Sequence, residues 1–183
     1  MDRRAWSDEE MILSLDLYYK LPFGRLNQHT PKVRELAALI GRTPSSVALR
    51  LVNYAACDPY IVNSGRRGMV SGIGKCKPFW DHYADNTEEL FLQAENIRAS
   101  LLAKPVEEIL QLNSTDFIGQ EKEAVIKQRI NQNAFRAVIL ANYNEQCAIS
   151  GICIPQLLIA SHIVPWSDDV NNRLIGIRGR ALD

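Results

Sequence analysis

The chain has 183 residues, 46% hydrophobic and 23% charged, with 21 basic and 21 acidic side chains that cancel. This composition excludes global disorder and a surface that binds polyanions everywhere, and no apolar stretch reaches the length of a membrane-spanning helix. The N-terminal Met1-Asp-Arg-Arg-Ala-Trp6 lacks the apolar core of a signal peptide, so the sequence predicts a soluble, cytoplasmic chain of one or two small domains.

The first helix is predicted from Ser7, because Ser7 and Glu10 form an S-x-x-E capping box. Met11, Leu15 and Tyr18, with Ile12 and Tyr19 beside them, continue it as an apolar stripe that Pro22 and Gly24 end. Thr30-Pro31 signals a second helix with Val33, Leu36, Ala37 and Ile40 on its inner face, closed by Gly41. Thr43-Pro44 repeats that start signal for a third helix through Val47, Leu51 and Tyr54. Two helices joined by a tight turn form the helix-turn-helix pattern. Residues 57–80 carry Pro59, Gly65, Gly68, Gly72, Gly74 and Pro78, and are predicted as a loop or small irregular wing.

A further helix is expected from Asn86 or Thr87, using Leu90, Phe91, Ala94 and Ile97. Residues 103–120 are predicted to be a linker with one helical turn around Val106–Leu110. Residues 121–142 are helical in composition, with Ala124, Ile130, Phe135, Val138 and Ile139 as core positions. The period then changes. Cys147–Ser150 and Leu157–Val164 read as two short strands, with Gly151 and Pro155 in the turn between them.

Charge is distributed unevenly. Between Arg25 and Lys77 stand nine basic residues and only two acids, Glu35 and Asp58. The second helix of a helix-turn-helix presents its N-terminal part to base edges. Here that front carries Arg42, Ser45 and Ser46, followed by Arg50 and Asn53. Arginine reads guanine bidentately and asparagine reads adenine. Arg66, Arg67, Lys75 and Lys77 in the Gly-rich segment suit phosphate contacts. DNA is therefore the expected partner, although three-helix bundles pack in the same way without touching DNA. The four cysteines, Cys57, Cys76, Cys147 and Cys153, form no C-x-x-C pair. Cys147 and Cys153 are read as two small buried apolar residues rather than as zinc ligands.

His162 lies at the end of the second predicted strand, beside a proline turn, where an imidazole suits general-base work on water at neutral pH. Around it a set of short motifs stands in order. They are Gln128-Arg-Ile-Asn-Gln132, Phe135-Arg136, Val138-Ile-Leu-Ala-Asn-Tyr143, Cys147-Ala-Ile-Ser-Gly151, Leu157-Leu-Ile-Ala-Ser-His162-Ile-Val-Pro-Trp166-Ser167 and Asn172-Arg-Leu174. Together they resemble the HNH endonuclease family, in particular its bacterial restriction-endonuclease-like members, over roughly residues 128–174. The N-terminal part resembles, more loosely, the helical module that precedes the nuclease in some of these proteins.

The resemblance implies a ββα-metal fold that clasps a divalent cation, Mg2+ or similar, and places His162 at the position of the general base. The cation would stabilise charge on the phosphate and the leaving oxygen. The residue before that histidine is often a metal-binding aspartate, and here it is Ser161. The family continues into an Asn-Gly-Leu strand and a helix with a second histidine, where this chain reads Ile175-Gly-Ile-Arg-Gly-Arg-Ala-Leu-Asp183. Asp168 and Asp169 are the nearby carboxylates, read here as an acidic turn, and the metal ligands stay unassigned.

The expected fold class is mainly α (α+β): a helix-turn-helix-like module over residues 1–102, a linker over 103–120 and a partial HNH module over 121–183 that begins with a β-hairpin. The expected function is that of an HNH-type DNA endonuclease present as a truncated or frameshifted product, or as a deliberately shortened chain, with little or no cleavage on its own. A homodimer would suit double-strand cleavage. The uncovered hairpin predicts low local order around Ile159 and Ile163. The alternative is a non-enzymatic DNA-binding protein that uses only the helix-turn-helix.

Overall fold

The computed structural model describes residues 4–112 and 119–160. His162, Ser161, Asp168, Asp169, Ile163 and the predicted strand beyond 160 lie outside the described residues. Within them the chain is mostly helical, and no strand is formed.

Helix α1 (Asp8–Tyr19) begins at the predicted capping box: Ser7 accepts from the Glu10 backbone, and Glu10 accepts from the Ser7 backbone. The apolar stripe predicted for it is too narrow. Every residue from Glu10 to Tyr19 is buried, because α2 (Pro31–Leu39), α3 (Pro44–Cys57), α5 (Ile73–Tyr83) and α6 (Thr87–Leu102) all pack around it. A helix covered on all sides must be apolar all round or have its polar groups paired. Asp16 shows the second case. It is fully buried and ion-paired with Lys20 one turn on and with Arg98 of α6, each at 2.5 Å. Burial pushes its carboxyl up, but Lys20 and Arg98 outweigh that and hold it below the ordinary carboxylate range.

Helix α2 ends as its sequence requires. Gly41 takes a positive φ of 64°, the Gly41 N–H donates to the Ala38 carbonyl and the Arg42 N–H donates to the Ala37 carbonyl. These two bonds form a Schellman motif, which glycine adopts at no steric cost. Thr30 precedes α2, but its hydroxyl donates to the Arg25 carbonyl at 2.6 Å instead of capping the helix. Thr43 does cap α3, accepting from the Ser46 N–H. Tyr54 of α3 is anchored by its hydroxyl on the Met11 carbonyl of α1 at 3.0 Å.

The segment 57–80 departs from the predicted loop, since it contains α4 (Pro59–Asn63) and the first part of α5. Asp58-Pro59 is the start signal that the glycine content masked: Asp58 accepts from the Tyr60 N–H, and proline sits at the first helical position. Asp58 also accepts from the buried Tyr18 hydroxyl at 2.6 Å, tying α4 to α1. Pro78 stands inside α5. Between α4 and α5 the chain lies directly on α3. A Cβ at Gly68 would meet the Ala56 backbone nitrogen at 2.2 Å, so only glycine fits there.

Tyr18, Tyr19, Trp80 and Phe91 interlock as an aromatic cluster where α1, α5 and α6 meet. The predicted turn after α6 is α7 (Val106–Ile109), and the predicted C-terminal helix is α8 (Gln120–Asn142). Ile130, Ala134 and Val138 of α8 join the same buried core as α1 to α6. Phe135 is also buried as expected, whereas Ala124 is exposed and Ile139 only half-buried.

The predicted β-hairpin is not seen among the described residues, and the rest of its second strand, 161–164, lies outside them. Cys147–Ser150 form a tight turn, with the Cys147 N–H donating to the Ile152 carbonyl and the Gly151 N–H to the Cys147 carbonyl. Pro155–Leu157 form a single 3-10 turn. The N–H groups of Cys147 and Gly151, and those of Leu157 and Leu158, are spent on local turns. Arg136 of α8 donates to the Leu158 carbonyl, and at 2.8 Å to the Pro155 carbonyl, pinning this segment to α8. No helix among the described residues is long and apolar enough to cross a membrane.

Candidate nucleic-acid interface

Among the described residues, the predicted DNA-binding side chains do not share one face. The arm Arg4–Trp6 folds over the turn between α2 and α3 and takes up two of them. Arg42 donates to the Ala5 carbonyl at 2.6 Å and to Glu10 at 2.7 Å, and Arg4 donates to Glu10 and to the Ile40 carbonyl. Two guanidinium groups lie over the Trp6 ring, Arg42 at 4.2 Å and Arg50 at 4.7 Å from its centre. Burial pushes the Glu10 carboxyl up, but Arg42 and the Ser7 backbone outweigh it and hold it down.

Arg50 and Asn53 are turned inward. Arg50 is 8% exposed and reaches the buried Cys76 thiol of α5 at 3.5 Å. Asn53 is 3% exposed and donates to the Met69 carbonyl at 2.8 Å, fixing the 64–72 segment on α3. The Met69 N–H completes the link by donating to the Val52 carbonyl. Of the α3 residues assigned to base contact, only Ser45 is exposed; Ser46 is half-buried behind the cap.

Arg66 and Arg67 are exposed, and Arg66 covers the Phe23 ring at 5.6 Å. Phe23 opens a 3-10 turn that ends at Arg25. Lys75 is exposed as well, and Lys77 pairs with Asp81 at 2.8 Å. The sequence singled out Arg66 and Arg67 but neither Arg25 nor Arg34, because no motif marks them. Arg34 donates to the Gln28 carbonyl at 3.3 Å and the Thr30 hydroxyl to the Arg25 carbonyl, so the 25–34 stretch closes on itself.

A scan of protein-family models gives no match, and no curated protein or solved structure matches the chain. Its function must be argued from its own residues.

The cation implied by the sequence resemblance finds no home among the described residues, where no three His, Cys, Asp or Glu side chains come together. The four cysteines are free thiols. Cys76 is buried, but Cys153 is exposed and Cys147 half-buried, so this last pair is not the buried apolar pair expected. The Ser150 hydroxyl and the Ser150 and Ile149 N–H groups hydrogen-bond the Cys147 sulfur and bring its thiol down to about 7.

Proposed function

We propose that this protein is a DNA endonuclease of the HNH type, with His162 as its general base and the helical part of the chain holding the DNA. The observation that carries the reading is the ordered set of motifs from Gln128 to Leu174 around His162. Exposed Arg25, Arg66, Arg67 and Lys75 on the helical part support DNA as the substrate, since phosphate contacts supply most of the affinity for a duplex. Ser161 stands where a metal-binding carboxylate is usual in the family, so little or no cleavage by this chain on its own is expected, and any that occurs depends on His162.

The test is nicking of supercoiled plasmid with Mg2+ or Mn2+, alongside a gel shift at low salt. Binding together with slow nicking that His162→Ala abolishes supports the reading. Nicking that His162→Ala leaves unchanged overturns the role of His162. Binding without any nicking fits the expected inactivity and also the alternative, a non-enzymatic DNA-binding protein, a reading favoured by the same exposed arginines. Absence of both overturns DNA as the substrate.

A further inference from the structure

We infer that the helical module grips the phosphate backbone of duplex DNA through Arg25, Arg34, Arg66 and Arg67, and that α3 does not read base sequence. The inference rests on the proposed DNA substrate and adds how that substrate is held.

Two independent observations lead to it. The first is the fate of the base-reading donors. Direct readout needs side-chain donors projecting from the helix that enters the groove. Arg50 and Asn53 spend theirs inside the protein, on Cys76 and on the Met69 carbonyl. Arg42 spends its own on Glu10 and the Ala5 carbonyl. The exposed side chains left on the front of α3 are Ser45 and Leu49, which offer one hydroxyl and one isobutyl group.

The second observation is where the free charge lies. Arg25, Arg34, Arg66 and Arg67 are exposed, and none forms a salt bridge among the described residues. One contact between segments far apart in sequence, with a local bond, joins three of them, and Arg67 adjoins Arg66. Arg66 covers the ring of Phe23, Arg25 ends the same turn, and the Gln28 carbonyl that follows takes the Arg34 Nε–H. A guanidinium offers paired N–H groups that match two phosphate oxygens, and backbone phosphates recur at every nucleotide whatever the base. The acids of this segment do not offset the strip, because Asp58 is buried against Tyr18 and only Glu35 is exposed.

The experiment measures fluorescence anisotropy of two labelled DNA duplexes of unrelated sequence, titrated with the full chain over a salt series. The variants are Arg25→Gln/Arg66→Gln/Arg67→Gln and, as the α3 control, Ser45→Ala/Leu49→Ala. The expected result is equal affinity for the two duplexes within about threefold, and a dependence of log K on log salt whose slope falls by about 0.9 for each lost contact in the triple variant. The α3 control binds like the parent chain. Discrimination between duplexes above about tenfold, or weakened binding in the α3 control, overturns the inference while leaving DNA as the substrate. An unchanged salt slope in the triple variant does the same. Binding to neither duplex at low salt overturns the DNA reading itself. Tight binding to phosphatidylserine vesicles, lost in the triple variant and with no DNA binding, would assign the strip to an anionic membrane surface instead. Circular dichroism checks that the variants fold, and all the substituted side chains are solvent-exposed.

Discussion

Trp6 illustrates how one side chain decides what others can do. Its ring engages the guanidinium groups of both Arg42 and Arg50, and the backbone around it accepts from Arg42. Trp6→Ala is expected to cost about 2 kcal/mol, about 1 for each partly covered cation–π contact. Urea unfolding checks this: the midpoint should fall and the slope should stay constant. An unchanged midpoint means that the Trp6 ring contributes nothing to stability. The sequence could not foretell this arrangement. Arg50 and Asn53 sit at positions where a groove-facing helix would show its donors, and only the placement of remote segments, residues 4–6 and 64–72, turns those positions inward. Ser7 and Glu10 were legible because a capping box needs only residues three apart.

At the scale of elements, the ends of the helices follow local rules closely. Gly41 ends α2 with the Schellman bonds already described, and α6 ends with the same pair: the Ala103 N–H donates to the Ser100 carbonyl and the Lys104 N–H to the Ala99 carbonyl. Here the residue with positive φ is alanine, at 51°. A left-handed L-residue costs about 1 kcal/mol relative to glycine. Ala103→Gly is therefore expected to stabilise the chain by about that much, read as a higher unfolding midpoint. A lower midpoint would show that the backbone entropy lost by glycine outweighs the relief of strain. Helices α1, α2 and α3 were legible from a start signal followed by an apolar period, α6 from its start near Asn86 or Thr87 with its apolar positions, and α8 from its helical composition. Helices α4 and α5 were hidden, since glycines and prolines outnumber the signals around Asp58-Pro59. The described part of the predicted hairpin, Cys147–Ser150 and the start of the second strand, was misread for a related reason. A short apolar run such as Leu157-Leu-Ile-Ala160 has no period that separates strand from turn, and the contacts of Arg136 select the turn.

The whole molecule is organised around α1, and its stability depends on the charges buried there. Asp16 has its pKa lowered on folding, so it binds its proton more weakly in the folded chain than in the unfolded one. Its contribution is present in full above the ordinary carboxylate range and is lost as the pH falls through and below it. Urea midpoints at pH 7 and pH 3 should differ accordingly. In Asp16→Asn, where Arg98 and Lys20 lose their partner, stability should already be reduced at pH 7 by about 3–5 kcal/mol, and less should remain to lose on acidification. Equal acid sensitivity in the two chains would place the titrating group elsewhere. At this scale the sequence conveyed the mainly helical class and the local excess of positive charge, but not which charges stay free. Packing also sorts the four thiols. Cys76 sits under Arg50, and burial raises the half-buried Cys57 to about 12, whereas Cys147 is near 7 and Cys153 is open to solvent. The chain thus carries two clocks for the same reagent: an alkylating agent counts time from mixing at the turn after α8, and from the opening of the helical core at α3 and α5.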